Sequence, residues 1–258
     1  MAKLVTYQEA PAGVGLLTLD DPGRLNAMSE EMAVRFEAQI DELRAEPPRV
    51  LILTGAGRAF SAGGDLEMLR AKHKVPVEKN RKRMLAFYRS FLSMLELEVP
   101  LIAAVNGHAV GAGLCLACAC DLRLADPAAR FSAPFTRLGL FPGMGATYFL
   151  PRILGPTWTR DLLLTGRLIG AGEALQIRLV SQISEAQGIV ELARRAASQI
   201  MAGGREAAGR LLLQLREPAG ELQQALEAEA RAQAESYRSP EFQEGLRKAL
   251  EPRRATAD

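Results

Sequence analysis

The stretch VNGHAVGAGLCLACACDLRLA, Val105–Ala125, decides how this chain of 258 residues folds. It is apolar enough to suggest a membrane segment, but Asn106 and Gly107 fall about where a spanning helix would need its apolar middle. The run LIAAV just before them is typical of a buried strand. We therefore predict a buried strand, a glycine turn and a buried helix inside a globular core.

The segments before this stretch predict alternating strands and helices. Two strands at about 3–8 and 13–19 lead through DDPG into a helix over about 30–45, with Ser29 as its N-cap. RVLILTG is a short apolar run that ends at a glycine, which indicates a buried strand. Between Glu78 and Glu98 the apolar residues recur at spacings of three and four, which predicts an amphipathic helix.

The order of these elements predicts an α/β protein in two parts. Because strand, strand and helix recur through the first part of the chain, we expect residues 1–190 to form a core of stacked β/α units. Residues 191–258 are mostly helix formers with dense Glu and Arg, and we expect a helical subdomain of the same functional unit. The pattern leaves open whether these helices are a solvated cap or an oligomer interface.

Composition excludes several classes of protein. The formal net charge is +2 and the basic residues are scattered, so the chain lacks the basic stripe of a nucleic-acid binder. We expect a cytoplasmic protein with no membrane partner, because no signal-peptide pattern is present and the three cysteines lie too close together for a disulfide framework. Cys115 and Cys118 have CxxC spacing, but no second cysteine pair could complete a metal site, so we predict no metal.

Two glycine-rich loops, GAGRAF and GHAVGAG, have to be weighed as nucleotide-binding loops. Neither completes GxGxxG before a helix, so a nucleotide-dependent oxidoreductase is the weaker hypothesis. Small residues at a strand-to-helix junction also let the backbone approach a ligand, and the first N–H groups of a helix have no internal acceptor. Two such junctions facing each other would form an oxyanion hole for a thioester enolate.

Three segments resemble the enoyl-CoA hydratase/isomerase family, the crotonase superfamily, and occur in the family's order. They are AFSAGGDLEML, PLIAAVNGHAVGAGLCLACACDLRLADPAARFSAPFTRLGLFPGMGATYFLPRILG and LLLTGRLIGAGEALQIRLVSQI. RLNAM and SPEFQEGLRKALEPRR extend the resemblance over almost the whole chain. It implies a crotonase-like spiral of ββα units with a C-terminal helical trimerisation region, assembled as a homotrimer or a homohexamer.

The resemblance also implies an acyl-CoA substrate and a site for it. The backbone N–H groups of Gly64 and Ala112 would form the oxyanion hole for the thioester oxygen. No cofactor is implied beyond coenzyme A as part of the substrate. The residues that the resemblance places along the CoA and acyl path are Arg24, Leu25, Ala27, Ala62, Gly63, Asp65, Leu66, Gly111, Phe135 and Thr136.

The chain departs from the hydratases of this family at both of their glutamates. One stands three residues after the second oxyanion donor, where this chain has Cys115, and the other follows the proline of FxxPE, where it has Phe135. A base and an acid each contribute roughly 10²- to 10⁴-fold to such a reaction, so efficient hydration is not expected. The loop LFPGMG also lacks the carboxylate that isomerases of the family carry.

Two residues near the predicted hole are candidate acid/base groups. Cys115 lies one helical turn after Ala112, and His108 precedes Ala112 by four residues. The alternatives are a small thiol packed in the core and a packed histidine. Asp65 also fits the N-cap of its own helix, which competes with its place on the substrate path.

We therefore predict an acyl-CoA enzyme, a lyase or an isomerase of fatty acid metabolism, that stabilises a thioester enolate. Decarboxylation of a malonyl-type thioester forms the enolate without a base, so decarboxylation or slow double-bond isomerisation is expected ahead of hydration. FPGMGAT resembles the matching loop of decarboxylating members. The alternative from another class is a non-catalytic acyl-CoA-binding or assembly subunit. Acyl length, branching and the choice between coenzyme A and a carrier protein stay open.

Overall fold

Two β-sheets form the framework of the structure, a computed structural model that describes residues 3–10, 12–185, 188–216 and 219–251. The strands are β1 (Leu4–Ala10), β2 (Val14–Asp20), β3 (Val50–Gly55), β4 (Ala59–Ser61), β5 (Leu101–Val105), β6 (His108–Val110), β7 (Leu122–Ala125), β8 (Arg130–Ser132), β9 (Ile169–Gly170) and β10 (Gln182–Ile183). The larger sheet has the order β1-β2-β3-β5-β7-β10 and the smaller one β4-β6-β8-β9. Neighbouring strands are parallel except for β1–β2 and β8–β9.

Helices connect and cover these sheets. They are α1 (Glu30–Ala45), α2 (Leu66–Lys72), α3 (Val77–Leu92), α4 (Ala112–Cys118), α5 (Ala146–Thr165), α6 (Ala171–Gln176), α7 (Ile189–Met201), α8 (Arg205–Leu215), α9 (Ala219–Ser236) and α10 (Pro240–Leu250). The predicted N-cap of α1 is confirmed, because Ser29 Oγ accepts a hydrogen bond from the Met32 N–H at 3.1 Å. No helix in the described ranges is long and apolar enough to cross a membrane.

The chain alternates between the two sheets. β3, β5 and β7 belong to the larger sheet, and each is followed within a few residues by a strand of the smaller sheet, β4, β6 and β8. A helix then leads back to the next unit, so successive strand, strand, helix units stack on one another. This is the predicted arrangement of β/α units.

Two elements differ from the prediction. β6 stands between the predicted glycine turn and α4; a strand of three residues is too short to give an alternating pattern. The helix predicted between Glu78 and Glu98 is α3, which ends at Leu92 and continues as a 3₁₀ turn over Ser93–Glu96. Helix ends often tighten into such turns, and the apolar pattern does not separate the two forms.

The C-terminal helices pack on the same core. Buried residues of α9 and α10, including Leu226 and Phe242, belong to the hydrophobic cluster that holds Phe36 of α1 and Phe91 of α3. α7 covers part of the larger sheet through a second cluster around Ile189. The division at residue 190 stays a prediction, but α9 reaches the region where α3 and α4 meet.

Candidate active site

A cavity of about 90 Å³ lies where α2, α3, α4 and α9 approach one another. Its walls come from the SAGGD and GHAVGAG segments, from α2 and α3, from residues 134–144 and from Gln233 of α9. They are formed by Ala62, Gly63, Gly64, Leu66, Met68, Leu69, Met84, Phe87, Tyr88, Val110, Gly111, Ala112, Pro134, Phe135, Leu138, Leu140, Gly143, Met144 and Gln233. Most of these are apolar, so the few polar groups in the walls decide what the cavity can bind.

The Gly64 amide is one of these polar groups. Gly64 forms a parallel bridge with Met28, in which Met28 N donates to Gly63 O at 2.7 Å and Asp65 N donates to Met28 O at 3.1 Å. Because neighbouring amides of an extended segment point in opposite directions, the Gly64 N–H points away from Met28. It has no acceptor among the described residues. α2 begins at Leu66, two residues after Gly64, with Asp65 as its predicted N-cap.

The Ala112 amide is the second free donor. Ala112 is the first residue of α4, and the first helical hydrogen bond runs from Cys115 N to Gly111 O at 3.1 Å. The N–H groups of a helix's first turn have no acceptor within the helix. No other described residue accepts from Ala112 N. The structure thus leaves two unused backbone donors in the wall of one cavity.

Glycines allow these two segments to meet. Gly63 has a φ of +87°, and a Cβ there would clash with the Val110 carbonyl and lie 3.4 Å from Ala112 N. Gly111 has a φ of +53°, the left-handed region that favours glycine. The glycines of SAGGD and GAG therefore let the backbones of these two segments approach each other closely.

The substrate-path residues separate into two groups. Ala62, Gly63, Leu66, Gly111 and Phe135 lie in the cavity wall with the two predicted donors. The remaining members lie outside the wall: Arg24, Leu25, Ala27, Asp65 and Thr136.

The residues outside the wall make local contacts. Asp65 caps α2 by accepting from Met68 N at 2.7 Å, as expected, and its other oxygen pairs with Arg24 at 3.2 Å. Leu25 accepts a hydrogen bond from Ala62 N at 2.9 Å and so fixes the segment that leads to the first donor. Thr136 donates its hydroxyl hydrogen to the Leu163 carbonyl at 2.9 Å.

Neither predicted acid/base candidate lies in the cavity wall. Cys115 is fully buried, and burial raises the pKa of its thiol well above the usual value, with Cys118 and Glu229 adding to the shift. His108 is exposed on β6. Their catalytic roles were predicted from spacing alone and stay untested, and the geometry favours the packed thiol for Cys115.

Phe135, which stands where the resemblance implies the second hydratase glutamate, places an apolar ring in the cavity wall. Phe135 lies in the wall, and its Cζ is 3.9 Å from the place where a Cβ on Gly111 would stand. Among the described wall residues none is Asp, Glu, His, Lys, Arg or Cys. The described ranges also contain no group of three or more His, Cys, Asp or Glu side chains that could hold a metal ion.

Tyr88 and Gln233 bring polar side chains to this wall, and sequence reasoning missed both. Tyr88 Oη donates to Gln233 Oε1 at 2.7 Å, and Tyr237 Oη donates to the same oxygen at 3.1 Å. Burial raises the pKa of Tyr88 well above its usual value, with further contributions from Tyr237 and Glu229, so the hydroxyl keeps its proton. Tyr88 falls in the apolar stripe of α3, and no sequence motif marks Gln233.

Glu229, one turn before Gln233 on α9, fixes the loop beside the cavity. Its carboxylate accepts from Gly145 N, Thr147 N and Thr147 Oγ1, at 2.7, 2.7 and 2.5 Å. It is 1% exposed, and burial raises its pKa although these hydrogen bonds oppose the shift. Glu229 is not in the wall, so its role is to hold Gly145 and the first turn of α5.

Comparisons with known proteins place the chain in a family. A profile of the enoyl-CoA hydratase/isomerase family matches residues 9–256. The chain belongs to this family. A probable enoyl-CoA hydratase of Mycobacterium tuberculosis is 39% identical to this family member over 235 residues, which are 89% of this chain and 91% of that protein.

Other members extend the comparison to function and fold. A short-chain-enoyl-CoA hydratase of Clostridium acetobutylicum is 34% identical over 75% of this chain and 74% of its own. The crystal structure of an enoyl-CoA hydratase from Bacillus halodurans superposes with a TM-score of 0.87 at 28% identity, covering 96% of this chain and 100% of that one. The crotonase-like fold is therefore confirmed, and the chain belongs to a family of enzymes that process acyl-CoA.

Proposed function

We propose that this protein stabilises the enolate of an acyl-CoA thioester and forms that enolate by decarboxylating a short malonyl-type thioester. One observation carries the proposal: the free amides of Gly64 and Ala112 share a cavity whose described walls contain no carboxylate or imidazole. The amides supply the oxyanion hole. The missing side chains remove the base that hydration needs.

Decarboxylation balances without a base. The bond between the α-carbon and the carboxylate breaks, its electron pair moves into the thioester carbonyl, and CO₂ leaves. The negative charge then rests on the thioester oxygen, where two backbone N–H groups donate to it. The enolate finally takes one proton at its α-carbon from a water molecule, which becomes hydroxide. The Tyr88 O–H in the cavity wall donates to Gln233, and its raised pKa keeps that proton in place.

The apolar walls favour the same reaction. A carboxylate that leaves water for an apolar cavity loses much of its hydration, while CO₂ is neutral and loses little. Met68, Met84 and Leu140 contribute such walls, and no described wall residue carries a positive charge that would stabilise the carboxylate. The cavity thus disfavours the starting anion relative to the enolate, whose charge the amides hold.

Cavity size limits the acyl group. A cavity of about 150 Å³ holds a benzene molecule, and this one is about 90 Å³. It therefore suits an acyl group of a few carbon atoms. Slow isomerisation of a short enoyl thioester is the second candidate, because it uses the same amides, but it needs a group to remove a proton.

The test compares three reactions of the purified protein. We expect CO₂ release from malonyl-CoA or methylmalonyl-CoA that exceeds hydration of crotonyl-CoA, which is followed by loss of enoyl absorbance. Rapid crotonyl-CoA hydration with no CO₂ release would refute the proposal and agree with the names of the relatives. Double-bond shift without CO₂ release would favour isomerisation, and tight acyl-CoA binding with no turnover would favour a binding subunit.

A further inference from the structure

Gln233 is held in a single orientation at the cavity wall. Its Oε1 accepts from the hydroxyls of Tyr88 and Tyr237, and its Nε2 donates one hydrogen to the Phe141 carbonyl at 2.9 Å. Both tyrosine hydroxyls can donate or accept a hydrogen bond, whereas the Phe141 carbonyl can only accept one. A flipped amide would set its oxygen against the Phe141 oxygen, so this contact fixes Nε2 as the end that donates.

This arrangement leaves one donor unused. A glutamine amide has two N–H hydrogens, and the second one on Nε2 has no acceptor among the described residues. The side chain is only 4% exposed, so water in bulk does not satisfy it. A buried donor without a partner is expensive, which points to an acceptor supplied by a ligand.

A glycine keeps this donor at the wall. A Cβ on Gly143 would clash with Tyr88 Oη and lie 2.7 Å from Gln233 Nε2. Gly143, Tyr88 and Gln233 all belong to the cavity wall. Any side chain at position 143 would displace the pair, so the loop is shaped to bring these polar atoms to the cavity.

We propose that Gln233 determines substrate specificity, because its free Nε2–H binds an oxygen of a carboxylate on the acyl group. This inference rests on the proposed function and extends it by assigning the carboxylate-binding residue. One neutral donor orients the carboxylate without neutralising it. An arginine at this place would hold the anion more strongly and would oppose loss of CO₂.

The experiment measures binding of two coenzyme A thioesters that cannot lose CO₂. Sulfoacetyl-CoA carries an anionic group in place of the malonyl carboxylate, and isovaleryl-CoA carries two methyl groups of similar shape. Binding of both is measured by calorimetry with wild-type protein, Gln233→Leu and Gln233→Glu. Gln224→Glu, an exposed position on the same helix, is the control for the added charge.

We expect Gln233→Leu to weaken sulfoacetyl-CoA binding about 10- to 100-fold, the range for a hydrogen bond to a charged group, and to change isovaleryl-CoA binding less than about threefold. Gln233→Glu still accepts from both tyrosines and should weaken the anionic ligand at least as much. Equal losses for both ligands, or no change for either, would overturn the inference.

The same measurements separate this inference from the proposed function. If wild-type protein releases no CO₂ from malonyl-CoA but the selective loss in Gln233→Leu is found, the reaction assignment fails and the carboxylate-binding role stands. If CO₂ is released and both variants keep the wild-type preference, decarboxylation stands and Gln233 does not bind the carboxylate. A thermal melt of each variant confirms that it is folded.

Discussion

Two kinds of groups in the cavity wall have different origins. The first, called the amide end, consists of the backbone N–H groups of Gly64 and Ala112, placed by glycines and by the start of a helix. The second, called the side-chain end, consists of Tyr88, Phe135 and Gln233, which come from three separate segments. A substitution seldom removes an amide, whereas it always changes a side chain.

This difference explains how a family member can keep one half of a mechanism and change the other. Under the proposed function, the amide end stabilises the enolate whatever the reaction that forms it. The side-chain end decides whether water is activated, a proton is moved or CO₂ is lost. The resemblance to the family implies that this chain keeps the positions of the amide end, and that Cys115 and Phe135 stand where the hydratases have their two glutamates.

Removing a donor from the amide end should have the largest effect. Ala112→Pro deletes the N–H that has no acceptor in the described protein, and proline is well tolerated at the first position of a helix. We expect kcat to fall about 10²- to 10³-fold in the decarboxylation assay, as for loss of an oxyanion donor. The melting temperature should stay close to that of the wild type.

Ala112→Gly is the matched control, since it retains the N–H and should lose far less activity. Equal losses in the two variants would mean that the side chain or the local backbone matters rather than the donor. Unchanged turnover in Ala112→Pro would remove this amide from the mechanism.

Restoring the side-chain end should produce the next largest effect. The double variant Cys115→Glu/Phe135→Glu supplies the acid and the base beside unchanged amides, and we expect crotonyl-CoA hydration to rise about 10²-fold or more. Cys115 is fully buried, so the melting temperature must be measured with activity. Cys115→Gln/Phe135→Gln has the same bulk without ionisable groups and should show no gain. Efficient hydration by the wild type would contradict this comparison.

The amide end was predictable from the sequence, and much of the side-chain end was not. Small residues at strand-to-helix junctions favour close backbone approach to a ligand, and the resemblance of SAGGD and GAG to the family's motifs implies that the donors are Gly64 and Ala112. Asp65 and Ser29 were placed as caps because capping depends on neighbours in the chain. Such local features can be predicted without any knowledge of tertiary contacts.

Gln233 and Tyr88 illustrate why the rest was missed. They are 145 residues apart in the chain, and their hydrogen bond depends on α9 packing along α3. Tyr88 fits the apolar stripe of its helix, and Gln233 lies in a helix rich in polar residues, so neither pattern marks a site. His108 shows the converse error, because closeness in sequence to Ala112 did not bring its side chain to the cavity wall.

The pH profile gives the smallest expected effect and tests the side-chain end directly. Burial raises the pKa values of Tyr88 and Cys115, so both stay protonated and neutral from about pH 6.5 to pH 8.5, below their raised values. A malonyl carboxylate is ionised throughout this range. We therefore expect kcat for decarboxylation to change less than about twofold. A tenfold fall in kcat per pH unit at the acidic end would reveal a group that must be deprotonated. If Cys115→Ser abolished this pH dependence, that group would be the Cys115 thiol.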